Sequence, residues 1–270
     1  LALESRTQRL LISPDGVLGY VPFALLDPSR HVAYMPSMAT HRVLRQERST
    51  RGTGVLALGD PDYRWKTVPA KAVAVRGGME LVPLPATRVE ARLVGNLEGD
   101  VVLLDKEATP KHFLHTVSTR KRWAAVHLAC HGLIDPERPM RSALGLAFED
   151  NGSNLLVCAD IFQRRIPADL AVLSACDTGR GKIVRGEGIV GLTRAFMFAG
   201  APRVLVSLWK VDDEATQALM VKFYELWRPK KGPRLGAAAA LKQAQAYVRT
   251  QKQWSHPYYW AAWVLWGLPD

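Results

Sequence analysis

Ala124-Ala125-Val126-His127-Leu128-Ala129-Cys130-His131-Gly132 and Leu170-Ala171-Val172-Leu173-Ser174-Ala175-Cys176-Asp177-Thr178-Gly179 decide the fold of this chain. Each reads as a short apolar strand ending in a chemically capable residue, His131 in the first and Cys176 in the second. Each then opens into a glycine-containing turn. As parallel neighbours, the two strands deliver His131 and Cys176 to the same edge of one sheet, where a thiol nucleophile and its base are needed.

Outward from this pair, apolar runs of strand length alternate with helical patterns. Strands are expected over 55–59, 101–104, 124–129, 170–174, 203–209 and 260–266. One helix is expected to start at Thr87, with Glu90 completing a capping box. Others run from Thr109-Pro110 to about Ser118, from Gly188 to Ala199 with Gly200 as the stop, from Asp212 or Asp213 to about Trp227, and from Leu235 to Gln251. A hairpin is expected over 144–157, a short helix over 160–165 and a loop over 60–80. The alternation predicts an α/β layer fold with a mainly parallel central sheet. Its strands are nearly uninterrupted apolar runs, as when both faces are covered. Ligands in such sheets sit at the carboxyl ends of strands, where His131 and Cys176 both lie.

The first 51 residues read differently. Two apolar runs flank Ser13-Pro14-Asp15-Gly16, a turn sequence, so Arg9 to Leu26 is expected to be a hairpin. A short helix follows over His41 to Arg48, and Arg51-Gly52-Thr53-Gly54 looks like a linker. The expected organisation is an N-terminal hairpin-and-helix segment over 1–51, packed on a domain over 52–270.

Composition narrows the class. The chain has 270 residues, 48% of them hydrophobic, which suits a globular protein with a sizeable core. Its apolar runs fall far short of the ~20 residues that span a bilayer. It lacks an initiating Met and the basic and apolar regions of a signal peptide, so it reads as a piece of a longer protein. Three cysteines make no disulfide framework and fit a reducing, cytoplasmic setting. The net charge of +11 is scattered, and its denser groups, Arg42 to Arg51 and Arg228 to Arg234, are not interleaved with aromatics. Nucleic acid is not expected as a direct ligand, nor is a membrane.

A thiol attacks a carbonyl as thiolate, and an imidazole within reach lowers its pKa or takes its proton. The tetrahedral oxyanion then needs donors, and the backbone N–H groups of Gly132 and Cys176 are candidates on the reading that both lie in turns. Gly132 lacks a Cβ and so lets a carbonyl approach closely. No acidic third member is evident, so the reading is a dyad. Asp177 to Glu187, with Arg180, Lys182 and Arg185, is expected to be a mobile loop beside it.

A strand ending His-Gly followed by a strand ending Ala-Cys-x-x-Gly resembles the caspase-like cysteine peptidases, and within them the CHAT family. The likeness extends through Gly186-Glu187-Gly188, Ala199-Gly200-Ala201, Ser207-Leu208-Trp209-x-Val211-Asp212-Asp213, Phe223-Tyr224 and His256-Pro257-x-x-Trp260-Ala261. Ser13-Pro14-Asp15-Gly16 with Pro22-Phe23, and the Gly59-Asp60-Pro61 turn, also fit. The resemblance implies a caspase-like three-layer sandwich and cysteine endopeptidase activity without a cofactor. It implies a protein substrate and an activating partner or an upstream helical-repeat or sensor domain, as in bacterial regulated proteolysis. In this fold the strand after the nucleophile lines the S1 pocket. Here that strand is 203–209, so Asp212 and Asp213 at its exit, with Asp177, are candidates to pair with Arg or Lys at P1.

Rival readings are simpler. Asp212 or Asp213 could cap the next helix. Cys130 and Cys158 read as buried packing. His127, four residues before His131 on the expected strand, should share its face and make a structural hydrogen bond. His256 precedes Pro257 in a turn and is a weak alternative base. Cys130 alternates away from His131, and no C-x-x-C pair is present, so zinc is not expected. Gly186-Glu187-Gly188-Ile189-Val190-Gly191 matches G-x-G-x-x-G, but eleven residues separate Ser174 from Gly186, whereas a dinucleotide turn follows its strand directly. A regulatory interaction module, its dyad idle until a partner binds, is the alternative function.

Overall fold

A computed structural model of the chain describes residues 8–47, 50–64, 81–135, 137–174 and 187–270. Cys176, Asp177 and the loop expected up to Gly186 lie outside the described residues.

An eight-stranded sheet organises the fold. Its strands are β1 (Arg9–Ile12), β2 (His31–Tyr34), β3 (Val55–Pro61), β4 (Val101–Asp105), β5 (Trp123–Ala129), β9 (Ala168–Leu173), β10 (Arg203–Ser207) and β11 (Trp263–Gly267). The spatial order is β1-β2-β11-β10-β9-β5-β3-β4, and every neighbouring pair is parallel except β10 with β11. A small antiparallel sheet of β6 (His131–Leu133), β7 (Ala143–Gly145) and β8 (Leu155–Val157) stands beyond the end of β5. The turn between β7 and β8 is the hairpin expected from sequence.

Helices cover both faces, giving the three layers that the alternation implies. α3 (Pro85–Val94), α7 (Asp213–Trp227) and α8 (Ala237–Thr250) pack on one face, against Val55, Ala57, Ala125, Leu170, Val172 and Leu265. α2 (Met38–Gln46), α4 (Pro110–Ser118), α5 (Cys158–Phe162) and α6 (Glu187–Ala199) take the other, against Leu56, Leu58, Val126, Leu128, Ala171 and Val206. Successive strand residues alternate between these cores. Every residue of β5 and β9 is buried, which accounts for their unbroken apolar sequences.

Three local readings are corrected. Residues 9–26 form no hairpin: β1 is followed by a 3-10 turn (Gly16–Tyr20) and the four-residue α1 (Phe23–Leu26), and it pairs in parallel with β2 beyond them. The 1–51 segment therefore adds an edge to the main sheet. α3 starts at Pro85, so Thr87 lies inside it and makes no capping box; its hydroxyl accepts from Asp60 N–H and donates to the Leu84 carbonyl. Gly132 lies not in a turn but in β6, opposite Leu144. Asp212, by contrast, caps α7 as the simpler reading held, accepting from Ala215 N–H at 3.0 Å.

Two carboxylates tie the ends opposite the active edge. Asp169 accepts from Gly52 N–H and from Arg122. Asp100, with its side chain 1% exposed, accepts from the backbone N–H groups of Val55 and Leu97 and pairs with Arg228 of the α7 C-cap at 2.9 Å. Removing one partner of a buried, hydrogen-bonded pair strands the other in low dielectric. Asp100→Ala is therefore expected to lower the unfolding free energy by about 3–5 kcal/mol, read from urea titration by circular dichroism. A loss below about 1 kcal/mol would mean the pair is solvent-compensated.

Candidate active site

β3, β5 and β9 run parallel in close register, Gly59 opposite Ala129 and Leu128 opposite Leu173. Their carboxyl ends therefore reach one edge together. Gly59 also lets α3 close on that edge, because a Cβ there would lie 2.3 Å from the Thr87 carbonyl oxygen. Asp60 follows at φ 43° and its carboxylate accepts from Arg88 of α3.

His131 does not continue β5. The strand stops at Ala129, and His131 opens β6 in the small sheet. His131 as a residue is 4% exposed. Its Nε2 lies 2.7 Å from the carbonyl oxygen of Val82, which can only accept, so Nε2 carries the proton and Nδ1 keeps the lone pair. Tyr63, just beyond β3, packs its ring tilted at 5.2 Å from the imidazole centroid. The Tyr63 hydroxyl donates to the Gly145 carbonyl at 3.1 Å and accepts from His131 N–H at 3.4 Å, locking β6 to β7 beside the histidine. Burial lowers the pKa of His131; Lys210 lowers it further, while the Val82 carbonyl and Asp213 oppose the shift. Tyr63 is pushed above the usual phenol range by burial and stays protonated.

Tyr63 and Val82 were not among the residues singled out from sequence. The place of Tyr63, directly after a strand that neighbours β5, was available as a signal. A backbone carbonyl such as that of Val82 has no side-chain signature.

His127 makes the structural hydrogen bond expected of it. It is fully buried, with Nε2 3.0 Å from Glu90 Oε1 and Nδ1 3.4 Å from the Tyr224 hydroxyl, which donates to it. Burial and the nearby Glu90 carboxylate raise the Tyr224 phenol well above its usual range. Glu90, read as a capping residue, is thus a buried partner for a histidine. His256 serves the backbone of its own turn: Nδ1 accepts from Tyr258 N–H. Gly191 packs α6 against Pro139 and so has a structural use apart from any dinucleotide.

Of the S1 candidates, Asp212 has its carboxylate engaged in the α7 cap. Asp213, one residue on, is exposed and lies within electrostatic range of His131 and Lys210. Partial desolvation, then the adjacent Asp212 charge, raises its pKa. β10 leads into this corner through buried Ser207 and Leu208, and Trp209 Nε1–H donates to the Tyr258 carbonyl at 3.0 Å.

Comparison with known proteins gives this arrangement its family context. A model of the CHAT domain matches residues 2–268. Human tetratricopeptide repeat protein 28 is 27% identical across 97% of this chain, and its mouse counterpart is 28% identical across the same share. The chain spans only 12% of the length of either relative. Among solved structures, separase in the Saccharomyces cerevisiae separase–securin complex superposes with a TM-score of 0.59 at 14% identity, covering 93% of this chain and 15% of that one. The Arg-specific cysteine proteinase gingipain R superposes at 0.54 and 14% identity, covering 89% of this chain and 55% of that one. At such identity these two structures establish a shared caspase-like fold.

The geometry also separates the cysteines. Cys130 and Cys158 are both buried; desolvation raises the Cys158 thiol to about 11 and pushes Cys130 higher still. Neither supplies thiolate near neutral pH. Iodoacetamide at pH 8 should leave both unmodified in the native protein and alkylate both in 6 M guanidinium, read by peptide mass mapping. Rapid native labelling of either one would overturn the assignment of both to packing.

Proposed function

The chain belongs to the CHAT domain family, and from that premise we propose that it is a cysteine endopeptidase, with Cys176 as nucleophile and His131 as its general base. The observation that carries the reading is the fixed tautomer of His131. Its Nε2–H is committed to the Val82 carbonyl, so Nδ1 is the nitrogen left to take a proton. β9 ends beside β5, and the chain therefore arrives at Ser174, two residues before Cys176, next to the strand that delivers His131.

In this mechanism His131 Nδ1 accepts the Cys176 thiol proton as sulfur attacks the scissile carbonyl carbon. The carbonyl oxygen becomes an oxyanion, for which the backbone N–H of Cys176 is the donor; Gly132, paired with Leu144 within the small sheet, is not called on for this. Collapse expels the amine, which takes the proton from His131, and leaves a thioester. Water then attacks the thioester with His131 again as base, releasing the acid and restoring the thiol. Val82 completes the dyad as an orienting carbonyl, a part for which no side chain was found in the sequence.

A basic P1 residue is the preferred substrate feature. Asp212 caps a helix, so Asp213 is the better candidate for pairing with it, and the relative named as Arg-specific supports that choice. The likeness to a tetratricopeptide repeat protein supports an upstream helical-repeat domain or protein partner that controls access, and a cytoplasmic setting suits a working thiol.

Peptides of varied P1 residue test the reading. Cleavage should favour Arg and Lys, and Cys176→Ala or His131→Ala should lower kcat/KM by at least about 10³-fold. Asp213→Asn should reduce the preference for Arg over Leu by at least about tenfold, whereas Asp212→Asn, which keeps the cap, should not. Cleavage that survives Cys176→Ala would overturn the assignment.

The acid limb of kcat/KM supplies a second test. A base works when neutral, and burial lowers the pKa of His131, so activity should persist below pH 6.5 and fall only at lower pH. Lys210→Met removes a depressing charge and should move the limb upward. Asp213→Asn removes a raising charge and should move it downward. A limb above pH 6.5 in the unaltered protein would contradict a buried, neutral His131.

A further inference from the structure

A cavity of about 450 Å³ lies away from His131, between the Phe23–Tyr34 stretch, α8 and the start of β11. Its walls are largely apolar, with Leu25, Val32, Leu241, Trp260 and Val264 among them. Three cationic side chains, Arg30, Lys242 and Arg249, also line it, and no carboxylate of the described residues does. Arg30 is paired with Asp27. Lys242 reaches only the Ser29 carbonyl, at 2.6 Å, and Arg249 lies over the Trp260 ring at 5.7 Å. Neither has a carboxylate partner among the described residues. Burial, then Lys242 and, from outside the cavity, Arg9, hold neighbouring His31 below the usual histidine range, against an opposing pull from Asp270.

Trp263 and Gln245 also line it, but their polar atoms are not open to it: the Trp263 indole nitrogen is enclosed, and the Gln245 Nε2 donates to the Trp260 and Trp263 carbonyls. An apolar cavity of this size with a few fixed polar groups has the make-up of a small-molecule site.

We infer that this cavity binds a small amphipathic carboxylate, its apolar body against Leu25, Leu241 and Trp260 and its charged head between Lys242 and Arg249. Two cations without acidic partners among the described residues select an anion over a neutral molecule. The apolar walls select a tail over a bare inorganic anion.

Isothermal titration of the full chain with decanoate, against decanol as the neutral analogue, tests the assignment. Decanoate should bind at one site, at least tenfold more tightly than decanol. Lys242→Ala combined with Arg249→Ala should remove that preference while leaving decanol binding unchanged. Leu241→Trp should fill the cavity and abolish binding of both, with circular dichroism and thermal melting confirming that each variant folds. No decanoate binding, equal binding of decanoate and decanol, or binding that survives Leu241→Trp in a folded protein would each overturn the proposal. Because the readout is binding, the outcome is independent of whether the protein cleaves peptides.

Discussion

Burial of both faces of β5 is the constraint on which the rest of the structure depends. A strand whose seven residues are all buried can carry no solvated side, so helices cover it on both faces, and its neighbours β3 and β9 run parallel to it, as where helical crossovers supply that cover. Parallel strands share a polarity. β3, β5 and β9 must therefore end together, and whatever the chain places just beyond those ends is collected at one edge. The location of the candidate site follows from hydrophobic burial before any chemistry is considered.

What β5 cannot do is continue. Cys130 lies outside the strand yet still packs into the core, and at His131 the chain turns into a second, smaller sheet. That change of sheet gives His131 surroundings unlike those of His127. His127 sits inside the main layers with a buried carboxylate beside it and is spent on structure. His131 is held by a carbonyl and the ring of a tyrosine, and no carboxylate among the described residues bonds its ring. Two histidines four residues apart thus have different uses because one lies within the sheet and the other just past it.

The same distinction explains how much could be read from the sequence. Alternating strands and helices after residue 52, the α7 cap at Asp212 and the 143–157 hairpin rest on local patterns, and local patterns are legible. The parallel pairing of β1 with β2 is not local. Ser13-Pro14-Asp15-Gly16 is a good turn sequence, but β1 is an edge strand with alternate residues exposed, and its partner is fixed by β11 from the far end of the chain. Glu90 misled for a related reason: a glutamate three residues after a threonine suits a cap, and only the tertiary fold reveals a buried histidine facing it. Val82 was beyond reach altogether, since any residue could supply its carbonyl.

The charges around His131 show what sets its character. Lys210 and Asp213 act on the imidazole in opposite directions, and burial outweighs both. Its basicity is governed by exclusion of water more than by a dedicated ion pair, which suits a base that must be neutral before it acts. The corner holding these two charges is braced from outside the active edge. Leu208 N–H donates to the Ala262 carbonyl, and Trp209 donates to the carbonyl of Tyr258, in the Pro257–Tyr259 turn. Pro257 and Trp260, on either side of Tyr258 and Tyr259, also line the cavity at the start of β11. One short turn is therefore shared between the strand exit that leads to Lys210 and Asp213 and a cavity on the far side of β11. The tie on the strand-exit side is a side chain, the Trp209 indole, and on the turn side a backbone group, the Tyr258 carbonyl.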